Sequence, residues 1–398
     1  MNFFLRACAC ALAIGLGSAQ AAPYTPAQDS EVVERLPLAG DPAARQLESL
    51  RLQLQGRPGD AALRLDIAQR YFALSMAQGD PRLIGYATAA LAPLAASAPD
   101  NADYWLLRGQ LQQFGHGFDA ALTSLEKAAQ LDASNPAPLA WRAAILMVQT
   151  RYAEAEAECT RLVPLAEPLW GAGCLAYARA SSGALRPAYD SLSAAVKTST
   201  SAKTPPTPEL LLWSYTRLAE MAQRLRQPDL AQMHFKSALA LGLTDQFLLG
   251  AYADFLLQQR RPADVLKLLA GWERSDILLL RLALAANDSK DPRAADWIRQ
   301  LRERFDAAAQ RGDSLHQQEA ARFELDLRSN PERALALAAS NYKVQKEPRD
   351  AEVLMRVALA ARQPRAAQPA IDWLRTSRYE DAGLEQLARQ LIAQGASR

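Results

Sequence analysis

The stretch Ala102–Asn135 constrains the fold more than any other part of the chain. In Ala102-Asp-Tyr-Trp105-Leu-Leu-Arg-Gly109 and Ala120-Ala121-Leu-Thr-Ser-Leu125-Glu-Lys-Ala128, two helical patterns meet across a Gly-containing turn, and the unit closes after 34 residues. Gly109 and Ala121 stand twelve apart, and the same spacing of small residues returns at Ala143/Ala155 and Ala176/Ala188. Ala or Gly at such points lets the two helices of a hairpin approach closely, while larger residues such as Trp105 and Leu125 fill the space between hairpins. One hairpin cannot bury its apolar face alone, so the pattern demands stacked neighbours and capped ends.

The rest of the composition agrees with an all-α chain. Hydrophobic residues make up 49% and charged residues 22%, ordinary values for a chain that builds a core. Good helix formers dominate, and the short Ile277-Leu-Leu-Leu280 run is the one segment with strand character. The formal charge is +2. That gives no electrostatic footprint for nucleic acid or an anionic lipid surface, so the expected partner is a protein or peptide.

The N-terminus has the grammar of a signal peptide: Arg6, an apolar stretch from Ala7 to Leu16, and Ala19-Gln20-Ala21 as the small-x-small cleavage signal. Cleavage is expected between Ala21 and Ala22, giving a periplasmic or secreted protein. The apolar run is too short to span a bilayer, and Arg6 stands where a lipoprotein motif built on Cys8 would need a small apolar residue. Residues 22–59 read as an extended arm with one short helix at about 42–55. Helical hairpins are expected over 60–197, a Pro/Thr/Ser loop or interlobe linker over 198–208, and further hairpins over 209–379. Pro228, Pro262, Pro292, Pro331 and Pro364 each stand three residues before a small or β-branched residue, and each is expected to start the second helix of a hairpin. Residues 380–398 read as a closing cap helix, with Leu384, Leu387, Leu391 and Ile392 on one face.

The 34-residue unit, its small positions and its hairpin grammar resemble a tetratricopeptide repeat (TPR). The resemblance is clearest over about 60–270 and degenerate after about 271. It implies an α-solenoid of stacked antiparallel hairpins in a right-handed superhelix, with a partner segment held in the concave groove formed by the first helix of each repeat. Carried over position by position, the groove residues are Leu106, Gln110 and Gln113 in the second repeat, Met147 in the third, and Trp170 and Tyr177 in the fourth. Trp213, Glu220 and Arg224 in the fifth, and then Asp254, continue the series. The Lys and Asn residues of the family's carboxylate clamp are absent at these places.

In this register Cys159 falls on the second helix of the third repeat and Cys174 on the first helix of the fourth, elements that pack directly. An exported protein meets an oxidising compartment, so a Cys159–Cys174 disulfide is expected, against the alternative of two buried thiols. His116, His234 and His316 are far apart in sequence and read as surface or interface residues, with no metal site and no cofactor. Glycine-rich phosphate loops, G-x-S-x-G and H-E-x-x-H do not occur, and no catalytic residue is assigned. Trp105, Trp141, Trp170, Trp213, Trp272, Trp297 and Trp373 come about once per hairpin and read mostly as core, with Trp170 and Trp213 set apart. The leading reading is a non-enzymatic exported adaptor or scaffold for a partner in the cell envelope. The alternatives are an envelope glycan- or peptidoglycan-linked enzyme with a motif-less site and a homo-oligomeric structural scaffold.

Overall fold

The structure, a computed structural model, describes Gln28 and residues 42–78, 82–313 and 315–396. The expected leader, the cleavage point expected at Ala21 and Ala22, and most of the arm lie outside the described residues. The chain divides into two compact units, Met1–Ser49 and Leu50–Arg398. Of the first unit, the described part is Gln28 and the opening of α1 (Pro42–Gly56). The second unit carries the repeats.

Among the described residues the second unit has helices and no strand. Hairpin one pairs α2 (Ala61–Gln78) with α3 (Arg82–Leu91), followed by the single turn α4 (Leu94–Ser97). Hairpins two to five pair α5 (Ala102–Phe114) with α6 (Phe118–Leu131), α7 (Ala137–Val148) with α8 (Tyr152–Leu162), α9 (Pro168–Ala180) with α10 (Leu185–Thr200), and α11 (Pro208–Arg224) with α12 (Pro228–Leu239). Hairpins six to eight pair α13 (Gln246–Gln258) with α14 (Pro262–Leu268), α15 (Asp276–Ser289) with α16 (Ala294–Gln310), and α17 (Gln317–Asp326) with α18 (Pro331–Asn341). In hairpin nine, α19 (Pro348–Ala360) pairs with a 3-10 turn (Pro364–Ala367) that runs into α20 (Gln368–Ser377), and α21 (Ala382–Ala396) follows. This is an all-α solenoid of stacked, TPR-like hairpins.

The hairpins are closed by one recurring turn. The first helix of each of hairpins two to nine ends at a residue with positive φ: His116, Thr150, Gly183, Arg226, Arg260, Lys290, Ser329 or Arg362. The next N–H then reaches back over the helix end, as in Arg151 N to Leu146 O (2.8 Å) and Gln363 N to Ala358 O (2.9 Å), which satisfies orphan carbonyls. In the Gly115-His116-Gly117 turn the positive φ of 59° falls on His116, while both glycines have φ of −79°.

Pro228, Pro262 and Pro331 occupy the first position of their helices. Pro292 instead lies in the turn before α16, where the Asp291 carboxylate accepts from Arg293 N at 2.9 Å and delays the helix. Pro364 opens the 3-10 turn rather than an α-helix. The break at Thr198–Pro208 is shorter than the residue types suggest. Thr200 and Ser201 hydroxyls donate to Val196 O (2.9 Å) and Lys197 O (3.0 Å), carrying α10 to Thr200 before α11 restarts behind the Thr207 cap. The core continues across this break, one apolar cluster running from Leu169 to Phe323.

The small positions do what close packing requires. Ala121, Ala143, Ala155, Ala176 and Ala188 are buried, and a Cβ on Gly109 would come within 2.6 Å of Leu125 Cγ. The Ile277–Leu280 run is helical: Leu278, Leu279, Leu280 and Leu282 are all buried, because α13, α14, α16 and α17 surround α15. On α21, Leu384 and Leu391 are buried, but Ile392 is 53% exposed, since consecutive helical positions point about 100° apart.

The superhelix returns on itself. A second core cluster joins Ala143, Met147, Tyr152 and Cys159 to Leu335, Tyr342, Leu354 and Trp373, so hairpins three and four pack on eight and nine, while α2 touches α13. Trp373 Nε1 donates to Tyr152 Oη (3.0 Å), Lys346 N to Val148 O (3.0 Å) and Leu185 N to Glu380 Oε1 (2.8 Å). At Gly183, with φ of +93°, an added Cβ would meet Arg378 Cβ at 3.0 Å, so the turns meet closely there.

Cys159 and Cys174 form a disulfide linking α8 to α9, 15 residues apart in sequence. Its reduction should lower the free energy of unfolding by about 3 kcal/mol in the chain-entropy picture. Alkylation and mass measurement before and after reductant would verify the bridge, and denaturant titration its contribution. Gly109→Ala should destabilise by about 1–3 kcal/mol, because fully buried Leu125 has no room to retreat. Thermal melts of the two forms test this.

Candidate functional site

The first helices of successive hairpins bring aromatic and charged side chains together on one inner face. Tyr177 and Trp213 meet edge to face at 6.2 Å, which places two of the expected groove residues side by side. The Arg217 guanidinium lies 4.7 Å from the Tyr177 ring and 4.3 Å from the Phe247 ring, and it pairs with Glu220 at 2.8 Å. Burial pushes the Glu220 carboxyl up, against the pull of Arg217 and Arg349. Further along, Asp254 sits between Arg281 (2.7 Å) and Arg322 (3.0 Å), and Arg349 pairs with Glu347 at 2.7 Å.

Other expected groove residues are placed differently from an open groove. Met147 is buried in the core shared with hairpins eight and nine, and the chain itself occupies that part of the concave face. Arg224 donates to Ala180 O (2.6 Å) and Glu380 O (3.0 Å), with its guanidinium 3.7 Å over the Tyr379 ring. It fastens the returning turn instead of standing free. Leu106 packs on the small cluster of Phe118, Leu125 and Ile145. Gln110, Gln113 and Trp170 are half-buried. Arg217, Arg281, Arg322 and Arg349 belong to the same face and were not singled out by residue type. The signal that finds them is their position on first helices, where each meets an acid or aromatic ring from a neighbour.

One of the three histidines departs from its expected surface or interface setting. His234 is buried, shares a 2.9 Å hydrogen bond with Tyr189, and burial pushes it down to about 4. The His116 imidazole is held below its ordinary value, by burial first and then by the charge of nearby His316. Among the described residues no group of three His, Cys, Asp or Glu is placed to hold a metal. No described helix is long and apolar enough to cross a membrane. Of the tryptophans, Trp297 and Trp373 are buried, and Trp105, Trp141, Trp170, Trp213 and Trp272 are half-buried.

What remains open is a cleft of about 1090 Å³ where hairpin three meets hairpins eight and nine. One wall is the Thr150–Glu154 turn, and the other is built from the residues around Lys343 and Arg378. Leu354, Tyr152 and Trp373 give it an apolar floor. Tyr342 also lines the cleft; its buried hydroxyl has no hydrogen-bond partner, and burial raises its titration above the ordinary phenol range. A smaller hollow of about 460 Å³, lined by Val163, Pro168, Leu175 and Pro187, lies between α8, α9 and α10.

No family model matches the chain, and no curated protein matches it. Solved structures similar to it include a Rap protein complexed with competence and sporulation factor, with a TM-score of 0.45, 11% identity, and coverage of 89% of this chain and 92% of that one. Yeast Tom70 matches with a TM-score of 0.43, 13% identity, and coverage of 89% and 85%. The APC/C hetero-tetramer Cut9–Hcn1 matches with a TM-score of 0.39 and 15% identity over 79% of this chain, which spans 52% of that one. These similarities are distant, and the architecture rests on the stacked hairpins themselves.

Burial opposes ionisation of Asp254, yet the Arg281 and Arg322 guanidiniums outweigh it and hold the carboxyl well below the usual range. Asp254→Asn should therefore destabilise by about 3 kcal/mol, since it takes the paired carboxylate from Arg322 and leaves Arg281 with Glu319 alone, at 3.9 Å. A group depressed in the folded state stabilises above its unfolded pKa of about 4, and that contribution is lost as pH falls through this value toward the folded one. The wild type should lose stability over that acid window more steeply than Asp254→Asn, as urea melts across pH would show.

Proposed function

We propose that the mature chain is an exported, non-enzymatic helical-repeat adaptor that holds a segment of a protein partner in the cell envelope. The observation that carries this reading is the cleft between hairpin three and hairpins eight and nine. It is open to solvent, has an apolar floor, and at about 1090 Å³ can take a short stretch of polypeptide. The concave groove of the family is a poorer place for a partner here, because its guanidiniums and carboxylates are already paired with one another.

Export is supported by the Arg6, Ala7–Leu16 and Ala19-Gln20-Ala21 pattern. The Cys159–Cys174 bridge adds to it, since structural disulfides persist in oxidising compartments. The adaptor reading is further supported by stacked hairpins that offer surface and shape rather than a convergent set of reactive groups.

Ala153 is exposed at the mouth of the cleft and supports none of the core. Ala153→Trp should fill the mouth and leave the thermal midpoint unchanged, while removing specific proteins from the set that the wild type captures from envelope extracts. Identical sets, compared by mass spectrometry, would overturn the assignment of the partner to this cleft.

A further inference from the structure

We infer that the cleft takes an acidic polypeptide segment whose carboxylates are met by Lys343, Lys346 and Arg378, an inference that rests on the adaptor reading above. Six charged groups line the cleft: Arg151, Lys343, Lys346 and Arg378 against Glu154 and Asp372, a net of +2. The entire 398-residue chain has a formal charge of +2, so the cleft concentrates an excess that the rest of the molecule lacks.

Two of the six neutralise each other. Arg151 forms a two-pronged contact with Glu154, at 2.7 and 2.6 Å. Asp372 accepts from Gln368 Nε2 at 2.9 Å and stands 3.9 Å from Arg375. Lys343, Lys346 and Arg378, by contrast, have no carboxylate within ion-pair distance among the described residues. Charges elsewhere on the inner face of this protein are paired, as Asp254 with Arg281 and Arg322 and Arg217 with Glu220 show.

The backbone holds these cations in place. Lys343 and Lys346 lie in the turn after α18, and the main-chain N–H of Lys346 donates to Val148 O at 3.0 Å, fastening that turn to hairpin three. Arg378 is the left-handed cap residue of α20, with φ of 55°, and its Cβ stands against Gly183. Their charges thus flank a floor of Leu354, Tyr152 and Trp373. That combination matches a segment in which acidic and apolar side chains alternate: carboxylates toward the cations and apolar groups onto the floor. A small free anion would use the charges and leave the floor wet. The competing structural role for these cations is to complement the helix C-termini near them.

The test uses the mature full-length protein and fluorescein-labelled synthetic peptides read by anisotropy. One peptide alternates Glu with Leu and Phe, and a second replaces each Glu by Gln. The acidic peptide should bind about tenfold more tightly than its amide twin, the equivalent of about 1.4 kcal/mol, which three partly exposed ion pairs can supply. That advantage should shrink as salt is raised, because exposed pairs are screened. Lys343→Glu/Lys346→Glu/Arg378→Glu should abolish it with an unchanged circular dichroism spectrum, and Lys343→Arg/Lys346→Arg should retain it.

Equal binding of the two peptides overturns the inference. So does unchanged binding by the triple variant with a lowered thermal midpoint, the outcome expected of cations that serve only helix ends. Competition by inorganic phosphate or phosphatidylglycerol vesicles as effective as that by unlabelled acidic peptide overturns it too. If Ala153→Trp blocks capture of envelope proteins while the triple variant does not, the acidic inference fails and the adaptor reading stands. If neither changes capture, the cleft assignment itself fails.

Discussion

No part of this structure is stable without its neighbours, because a single helical hairpin leaves one apolar face uncovered. Helix α15 is the extreme case. Leu278, Leu279, Leu280 and Leu282 occupy different sides of the helix and are all buried, which is possible only with other helices around it. The small residues serve the same end at shorter range. Gly109 admits Leu125 so closely that one methyl group would collide, and the hairpin stays flat enough for the next to stack on it.

Stacking also decides what the inner face can do. When hairpins eight and nine return onto three and four, first-helix side chains that would line an open groove find partners within the chain. Arg217 lies between two aromatic rings, and Asp254 between two guanidiniums. Such pairs make weak handles for a ligand, since a newcomer has to displace contacts already made in surroundings where an unpaired charge is costly. The proposed partner site therefore lies outward, at the seam where two turns of the superhelix meet incompletely. The cleft beside Tyr152 and Trp373 is that seam.

The fold was legible because its signals are local. Twelve-residue spacing of small side chains and prolines at first helical positions are both written within one hairpin. Cys159 and Cys174 could be placed on adjacent helices for the same reason. Where the reading slipped at short range, a side chain supplied a bond that residue type alone does not announce, as when Thr200 and Ser201 prolong α10. The site was less legible. Met147 and Arg224 sit where the family's groove would be, but what touches them is distant in sequence: Arg224 meets Glu380, 156 residues away. Periodicity within a repeat carries no information about which turn of the superhelix comes back to cover it. The unpaired cations of the cleft were hidden likewise, because Lys343, Lys346 and Arg378 come to line one cleft with Tyr152 only through that return.

The bond between Trp373 and Tyr152 spans 221 residues. Linear repeat arrays commonly fray from their ends, since each unit depends only on the next. Here the C-terminal hairpins are tied to the third and fourth, so melting that end exposes a seam in the middle, and loss of structure becomes a shared event. The order of assembly changes as well. Hairpins can form locally as the chain emerges, but the third and fourth hold an unsatisfied surface until hairpins eight and nine arrive. Contacts of such sequence separation are slow to close, and during that interval the nascent chain presents its own docking surface to whatever is nearby.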